Sequence, residues 1–272
     1  MSERVDVAAI IPCFNASAVL GRALASVAAQ TVPAREVVVV DDGSDDVART
    51  ASLVAGLVDA LPVRLIRLQA NVGAAAARNA GVAAASAEYV AFLDADDVWH
   101  PRKLEIQGGF MARDRLVISG HGYAPLLGPG EVPGPVPALP SVRPVGLWAF
   151  TVRNPYFTPT VMARRDGLVG FDEGLRRNDD FKAWVQTWVQ SAGRAAYVDA
   201  VLAGGFKHTL GEAGLSAAVG EMHRSRLVAI RSLRELPPSF RAAAIVIEQL
   251  KYPLRLARLA AAGASPRSGA SP

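Results

Sequence analysis

The chain has 272 residues, 51% of them apolar and 20% charged, with a formal net charge of +4. That balance excludes a disordered or fibrous chain and fits a globular one with a sizeable core. No apolar run reaches the roughly 18–20 residues that a membrane span needs, "MSERVDVAAIIPCF" lacks the pattern of a secretory signal, and the lone Cys13 excludes an internal disulfide and fits a reducing, cytoplasmic setting. The positive charge is local. Residues 221–272 hold nine Lys/Arg and three Glu, a net of +6, which leaves residues 1–220 at −2. The body of the chain therefore carries no basic footprint for nucleic acid.

The β-rich run "VDVAAIIPCFN" (5–15), ended by Pro12, predicts a first strand. "SAVLGRALASVAAQ" (17–30) follows with Ser17 as N-cap and Val19, Leu20, Ala23, Leu24 and Val27 at helical spacing. "EVVVVDDGSDD" (36–46) reads as a buried strand over Val37–Val40 that ends in two acids and a Gly-Ser turn. A helix over 46–58, a strand over 63–68, an Ala-rich helix over 72–86 and a strand over 88–94 complete an alternating β-α series. Such alternation predicts a doubly wound, largely parallel sheet, which binds ligands at the carboxyl ends of its strands. Pro12, Phe14, Asp41, Asp42, Asp94, Asp96 and Asp97 all fall at those ends.

The second half is less regular. A helix is expected over 100–112, with Pro101 in its first turn. Residues 121–145 contain seven Pro and four Gly and read as a loop. A strand over 156–165, a helix over 178–193 with acids at its start, and one or two strands over 195–208 follow. Two helices, 216–235 and 239–261, are split by Pro237-Pro238, and the end "GASPRSGASP" reads as disordered.

Acids at the end of a buried strand cost solvation energy unless something positive is present. Asp94-x-Asp96 offers hard oxygen ligands suited to Mg²⁺ or Mn²⁺ with a substrate phosphate. Alone, Asp-x-Asp is a weak signal. Together with "AAIIPCFN", "EVVVVDDGSDD" and the nearly continuous "QANVGAAAARNAGVAAASAEYVAFLDADDVWHPRKLE", it resembles the family 2 glycosyltransferases. The likeness is strong over residues 5–106, patchy over 150–215 and absent beyond.

The resemblance implies a GT-A fold, a Rossmann-like α/β architecture with a mixed, mostly parallel sheet flanked by helices. Residues 1–215 would form that domain, with a nucleotide-binding half (1–110) and an acceptor-binding half (111–215), and 216–272 a helical extension. By resemblance, Pro12, Phe14 and Asp42 hold the nucleotide base. The family often has Tyr at the position of Phe14; stacking survives that change and the hydroxyl contact does not. Asn71 and Arg78 line the nucleotide and its phosphates. Asp94 lies near the ribose and Asp96 on the metal, and Asp97 can share either role. Asp179-Asp180 stands where the family usually has Glu-Asp, which makes Asp180 the general base and Asp179 its neighbour. His208, in "FKHTLGEAGLS", is the third protein ligand for Mn²⁺ or Mg²⁺.

The function implied is an inverting transfer of sugar from a nucleotide diphosphate, UDP first among them, to a hydroxyl on a glycan or lipid-linked glycan. Plainer readings exist for each feature. Asp41-Asp42 can serve as a turn, Asp179-Asp180 as helix-start charges, Arg78 as a helix-face pair, His208 as a surface side chain, and Trp99, Trp184 and Trp188 as core. A sugar nucleotidyltransferase would want a Gly-rich, basic loop after the first strand, which "PCFNASAVLGRAL" lacks. A silent nucleotide-sugar-binding module would not need acids at both 94–97 and 179–180. The basic 239–261 stretch either lies on an anionic membrane surface or packs its Ile245, Ile247, Leu250, Leu254 and Leu256 on the sheet domain or on a second subunit of a homodimer. Pro253 and the broad apolar circumference favour packing.

Overall fold

Four runs rich in aliphatic residues make the first half of the sheet, the largely buried β1 (Val7–Cys13), β2 (Glu36–Asp41) and β4 (Tyr89–Phe92) and the half-exposed edge strand β3 (Val63–Arg67). Strands covered on both faces read as continuous apolar runs, and the crossovers that parallel pairing needs are helices. In the computed structural model, which describes residues 5–126, 128, 130–205 and 219–263, these strands pair in parallel in the order β3-β2-β1-β4. The crossovers are α1 (Ser17–Ala28), α2 (Val47–Ala55) and α3 (Ala74–Ala84). Period-two alternation divides β1 between two cores. Val7, Ala9 and Ile11 face Leu20, Ala23, Leu24 and Val27 of α1, while Ala8 and Ile10 face Ala77 of α3. Helix α3 lies close to the sheet because Gly81 has no Cβ; one there would sit 2.5 Å from Ile10 Cγ2.

The register sets Cys13 opposite Asp41 and Ile10 opposite Phe92, so the acids that follow β2 and β4 meet at one edge. Beyond β4 the sheet becomes mixed: β8 (Met162–Arg164), β6 (Ile118–Pro125), β9 (Ala195–Gly205) and β5 (Asp97–Trp99) follow in that order, with β7 (Val142–Pro144) also on β9. Helices α4 (Lys103–Arg113), α5 (Leu147–Val152), α6 (Asp179–Gln190), α7 (Val219–Ser232) and α8 (Pro238–Gly263) complete the described elements. The mixed sheet flanked by helices has the GT-A architecture.

Several local expectations change. The span read as a loop over 121–145 begins inside β6 and ends in β7, where Pro144 closes a short strand at its terminus. In the strand expected over 156–165, Thr158–Thr160 is a 3₁₀ turn around Pro159 and only Met162–Arg164 pairs as a strand. The acids that open the loop after β4 run directly into β5, which pairs antiparallel with β9. The last helix passes through Pro253 without ending. Pro253 and Gln249 are both exposed, so the carbonyl that loses its N–H partner lies on the water side. Of the apolar residues assigned to packing, Ile245 meets the core, but Leu250, Leu254 and Leu256 are exposed. His208 and the residues expected to be disordered at the end lie outside the described residues.

Candidate active site

At the end of β2 the two aspartates divide their work. Asp41 Oδ1 accepts the Ser44 N–H at 3.0 Å and closes the turn. Gly43 makes that turn at φ +73°, with its Cα so near the next loop that a Cβ would lie 2.4 Å from the Ala70 carbonyl carbon. Asp42 reaches across to that loop and accepts the Val72 and Gly73 N–H groups, both at 2.9 Å. The 70–73 segment, with Asn71 exposed on it, is therefore held beside the ends of β1 and β2. Pro12 is half-buried in β1, and Phe14 beyond it is 46% exposed. Cys13 is buried; burial, then the charges of Asp41, Asp46 and Asp42, push its thiol up to about 12.

After β4, one carboxylate oxygen from each of Asp94, Asp96 and Asp97 lies within 4.8 Å of the others. Asp97 is buried and accepts a hydrogen bond from Tyr123 Oη at 2.9 Å. Tyr123 stacks on Phe157, centroid to centroid 5.6 Å with planes 21° apart, and forms an aromatic wall beside the acids. Three clustered carboxylates are a hard donor set of the kind that fits Mg²⁺ or Mn²⁺.

Arg78, on α3, joins this cluster to the other half of the edge. Its Nη2 donates to Asp94 Oδ1 at 3.1 Å and its Nη1 to Asp179 Oδ2 at 3.2 Å. Burial works against its charge, and Asp94, Asp179 and Asp180 more than restore it. Its Nε is buried with no hydrogen-bond partner among the described residues. Asp179 is buried at the start of α6, and burial holds its carboxyl up at about 6 although Arg78 pulls it down. Asp180 is half-buried, one residue further into the helix.

The segment that leads into α6 is clamped from behind by α7. Ser225 Oγ donates to the Arg177 carbonyl, and Asn178, left-handed at φ 60°, donates its Nδ2 to the Met222 carbonyl at 3.1 Å. Arg226 is buried with its guanidinium carbon 3.2 Å from the Phe181 ring centroid, and it donates to the Phe150 carbonyl at 2.8 Å. Burial lowers its pKa to about 10, against the opposing pull of Glu248 and Asp180.

The structure thus brings Asp94, Asp96, Arg78, Asp179 and Asp180 together, with Pro12, Phe14, Asp42 and Asn71 along the same edge. Trp99 and Trp184 are core residues; Trp99 Nε1 donates to the Pro159 carbonyl at 2.9 Å. Tyr123, Phe157 and the α7 clamp are absent from the sequence reading. Tyr123 falls in the span read as a loop, and α7 lies where the family resemblance has ended.

A parallel β3-β2-β1-β4 unit with acids at its carboxyl edge, extended by strands of mixed direction, defines a GT-A sheet. The sequence profile of Glycosyl transferase family 2 matches residues 8–145, and the chain belongs to that family. An uncharacterized glycosyltransferase of Nostoc, alr2836, is 47% identical over 102 residues, 37% of this chain and 31% of that protein. The Escherichia coli UDP-Glc:alpha-D-GlcNAc-diphosphoundecaprenol beta-1,3-glucosyltransferase WfgD is 36% identical over 110 residues, 40% of this chain and 42% of that one. The mannosyltransferase PcManGT from Pyrobaculum calidifontis, solved with GDP-Man and Mn²⁺, shares the fold at a TM-score of 0.68 and 19% identity, covering 100% of this chain and 78% of that one. The chain spans less than half the length of the curated relatives it matches.

Proposed function

We propose that the chain is a metal-dependent, inverting glycosyltransferase that moves a sugar from a nucleotide diphosphate, a UDP-sugar first, to a hydroxyl of a glycan or lipid-linked glycan in polysaccharide or cell-envelope synthesis. The observation that supports this reading is the bridge of Arg78 between Asp94 and Asp179, which ties the acids after β4 to the start of α6. The names of WfgD and PcManGT, a UDP-Glc enzyme and a GDP-Man complex, support the donor class.

In this reading Phe14 stacks on the base beside Pro12, and Asp42 accepts the base N–H. Asn71 and Arg78 hold the ribose–phosphate side. Asp94 and Asp96, with His208 as a third ligand, would hold Mg²⁺ or Mn²⁺, which supplies positive charge to the departing diphosphate. Asp180 takes the proton of the acceptor hydroxyl as that oxygen attacks the anomeric carbon. The new C–O bond forms on the face opposite the bond to the diphosphate, which breaks, so the anomeric centre inverts. Asp179, fixed by Arg78, orients the acceptor beside the base.

The test is release of nucleoside diphosphate from a panel of sugar nucleotides, with Mn²⁺, Mg²⁺ or EDTA. The parent should release it with metal. Asp180→Asn should bind donor within a few-fold of the parent and turn over about 10²–10⁴ more slowly. Asp96→Ala should lose the metal dependence of UDP binding. Release of pyrophosphate would identify a nucleotidyltransferase, and donor binding without any release a silent module. A crippled Asp179→Asn beside a near-normal Asp180→Asn would exchange the two roles.

A further inference from the structure

Helix α8 is turned inside out for a surface helix. Amphipathic helices on globular proteins bury their apolar stripe and expose their charges. Between 239 and 257, the charged residues are Arg241, Glu248, Lys251 and Arg255, and every one is buried or half-buried. Every exposed residue in the same stretch is uncharged. Val246, Leu250, Leu254 and Leu256 are 57, 66, 61 and 43% exposed. Positions 246, 250, 253, 254 and 257 fall on one side of a 3.6-residue helix, so this is a continuous face.

The face continues onto α5. Trp148 of α5 lies 4.2 Å, centroid to centroid, from Phe240 of α8, and Lys251 Nζ donates to the Thr151 carbonyl at 3.1 Å. Trp148 and Val152 are themselves 50 and 55% exposed. Cations stand around this apolar ground. Lys251 and Arg255 reach Glu248 at 3.7 and 2.5 Å, and their side chains remain 26 and 37% exposed. Arg153, next to Val152, is exposed. The one acid of this stretch of α8, Glu248, is 1% exposed and offers nothing to repel an anion.

We propose that the outward face of α8, with Trp148 and Val152 of α5, docks on the surface of an anionic lipid bilayer. Leucines and an indole enter the headgroup boundary, and Lys251, Arg255 and Arg153 extend to the lipid phosphates. Charge selects this occupant over a second copy: a dimer through this face would bring Arg153, Lys251 and Arg255, set against the single acid Glu248, up to the same cations of its partner, whereas an anionic bilayer attracts them. No helix among the described residues is long and apolar enough to cross a membrane.

The experiment is co-sedimentation of the full chain with vesicles of phosphatidylglycerol and phosphatidylcholine, and with phosphatidylcholine alone, at low and high salt. It needs neither donor nor acceptor, so its result is independent of the transferase reading. The chain should sediment with the anionic vesicles at low salt and leave them at high salt. Leu250→Glu and Leu254→Glu are at exposed positions and should keep the fold by circular dichroism, with each lowering vesicle partitioning by about tenfold or more. A chain that stays in the supernatant with anionic vesicles at low salt overturns the proposal, as does undiminished binding by the double variant. A parent that is dimeric by light scattering, is split to monomers by the double variant and ignores vesicles assigns the face to a second copy instead, and also overturns it.

Discussion

Single residues in the cleft are legible from sequence only as far as their chemistry is local. The Asp-Asp-Gly-Ser turn is local, and Gly43 does there what its position suggests: it adopts φ +73° against the backbone of Ala70 and Asn71. Gly43→Ala would impose a positive φ on a residue with a Cβ and drive that Cβ into main chain. It should cost about 2–4 kcal/mol of unfolding free energy in urea titration and weaken UDP binding as Asp42 is displaced. The environment of Asp179 is not local, because its partner Arg78 lies 101 residues away in sequence. Its carboxyl is held at about 6 against an ordinary 3.8. Between about pH 4 and 6 the folded chain therefore binds a proton at this site that the unfolded chain has released. The stabilising contribution is complete below pH 4 and is lost as the pH rises through 6. Asparagine does not titrate. Whatever fixed change Asp179→Asn brings, the difference in Tm between variant and parent should move in the variant's favour from pH 4 to 7. A difference that is flat with pH would place the titration elsewhere.

Elements differ in how far their sequence fixes them. Strands β1 to β4 and helices α1 to α3 are near their expected bounds because each apolar run is closed by a turn residue, and β1, β2 and β4 are buried on both faces. The short strands β5, β7 and β8 draw their partners from distant segments, β9 above all, and three residues carry no periodicity of their own. The role of α7 is the largest departure. Its sequence is basic and unremarkable, yet Ser225, Arg226 and the Met222 carbonyl hold the residues that precede Asp179 and Asp180. Arg226→Met removes the donors to the Phe150 carbonyl and Asn178 and should lower stability by about 2–4 kcal/mol. If α7 positions the base segment, kcat falls while the KM for donor stays within a few-fold, and Arg226→Lys recovers only part of it. An equal change in both constants would reduce α7 to packing.

At the scale of the whole molecule, the charge asymmetry read from composition corresponds to a spatial one, with acids at the carboxyl edge of the sheet and the basic surplus in the C-terminal helices. The general location of the cleft was legible, since parallel strands bring their ends to one edge whatever surrounds them. The wall beside the acids was not, because Tyr123 and Phe157 come from segments with no motif, and neither was the backing of α6 by α7. Across that cleft a single buried guanidinium serves two masters. Arg78 is shared by Asp94 and Asp179, which the proposed reading sets on the nucleotide and acceptor sides, so a positive charge brought to Asp94 would compete for it and free more of Arg78 for Asp179. The two substrates should then not be interchangeable in time. On the proposed reading, donor should load first and finish the acceptor subsite, and the nucleoside diphosphate should leave last. Initial-rate patterns should show that product competing with donor but noncompetitive toward acceptor, and Arg78→Lys, which cannot span both carboxylates at once, should relax the sequence toward random addition.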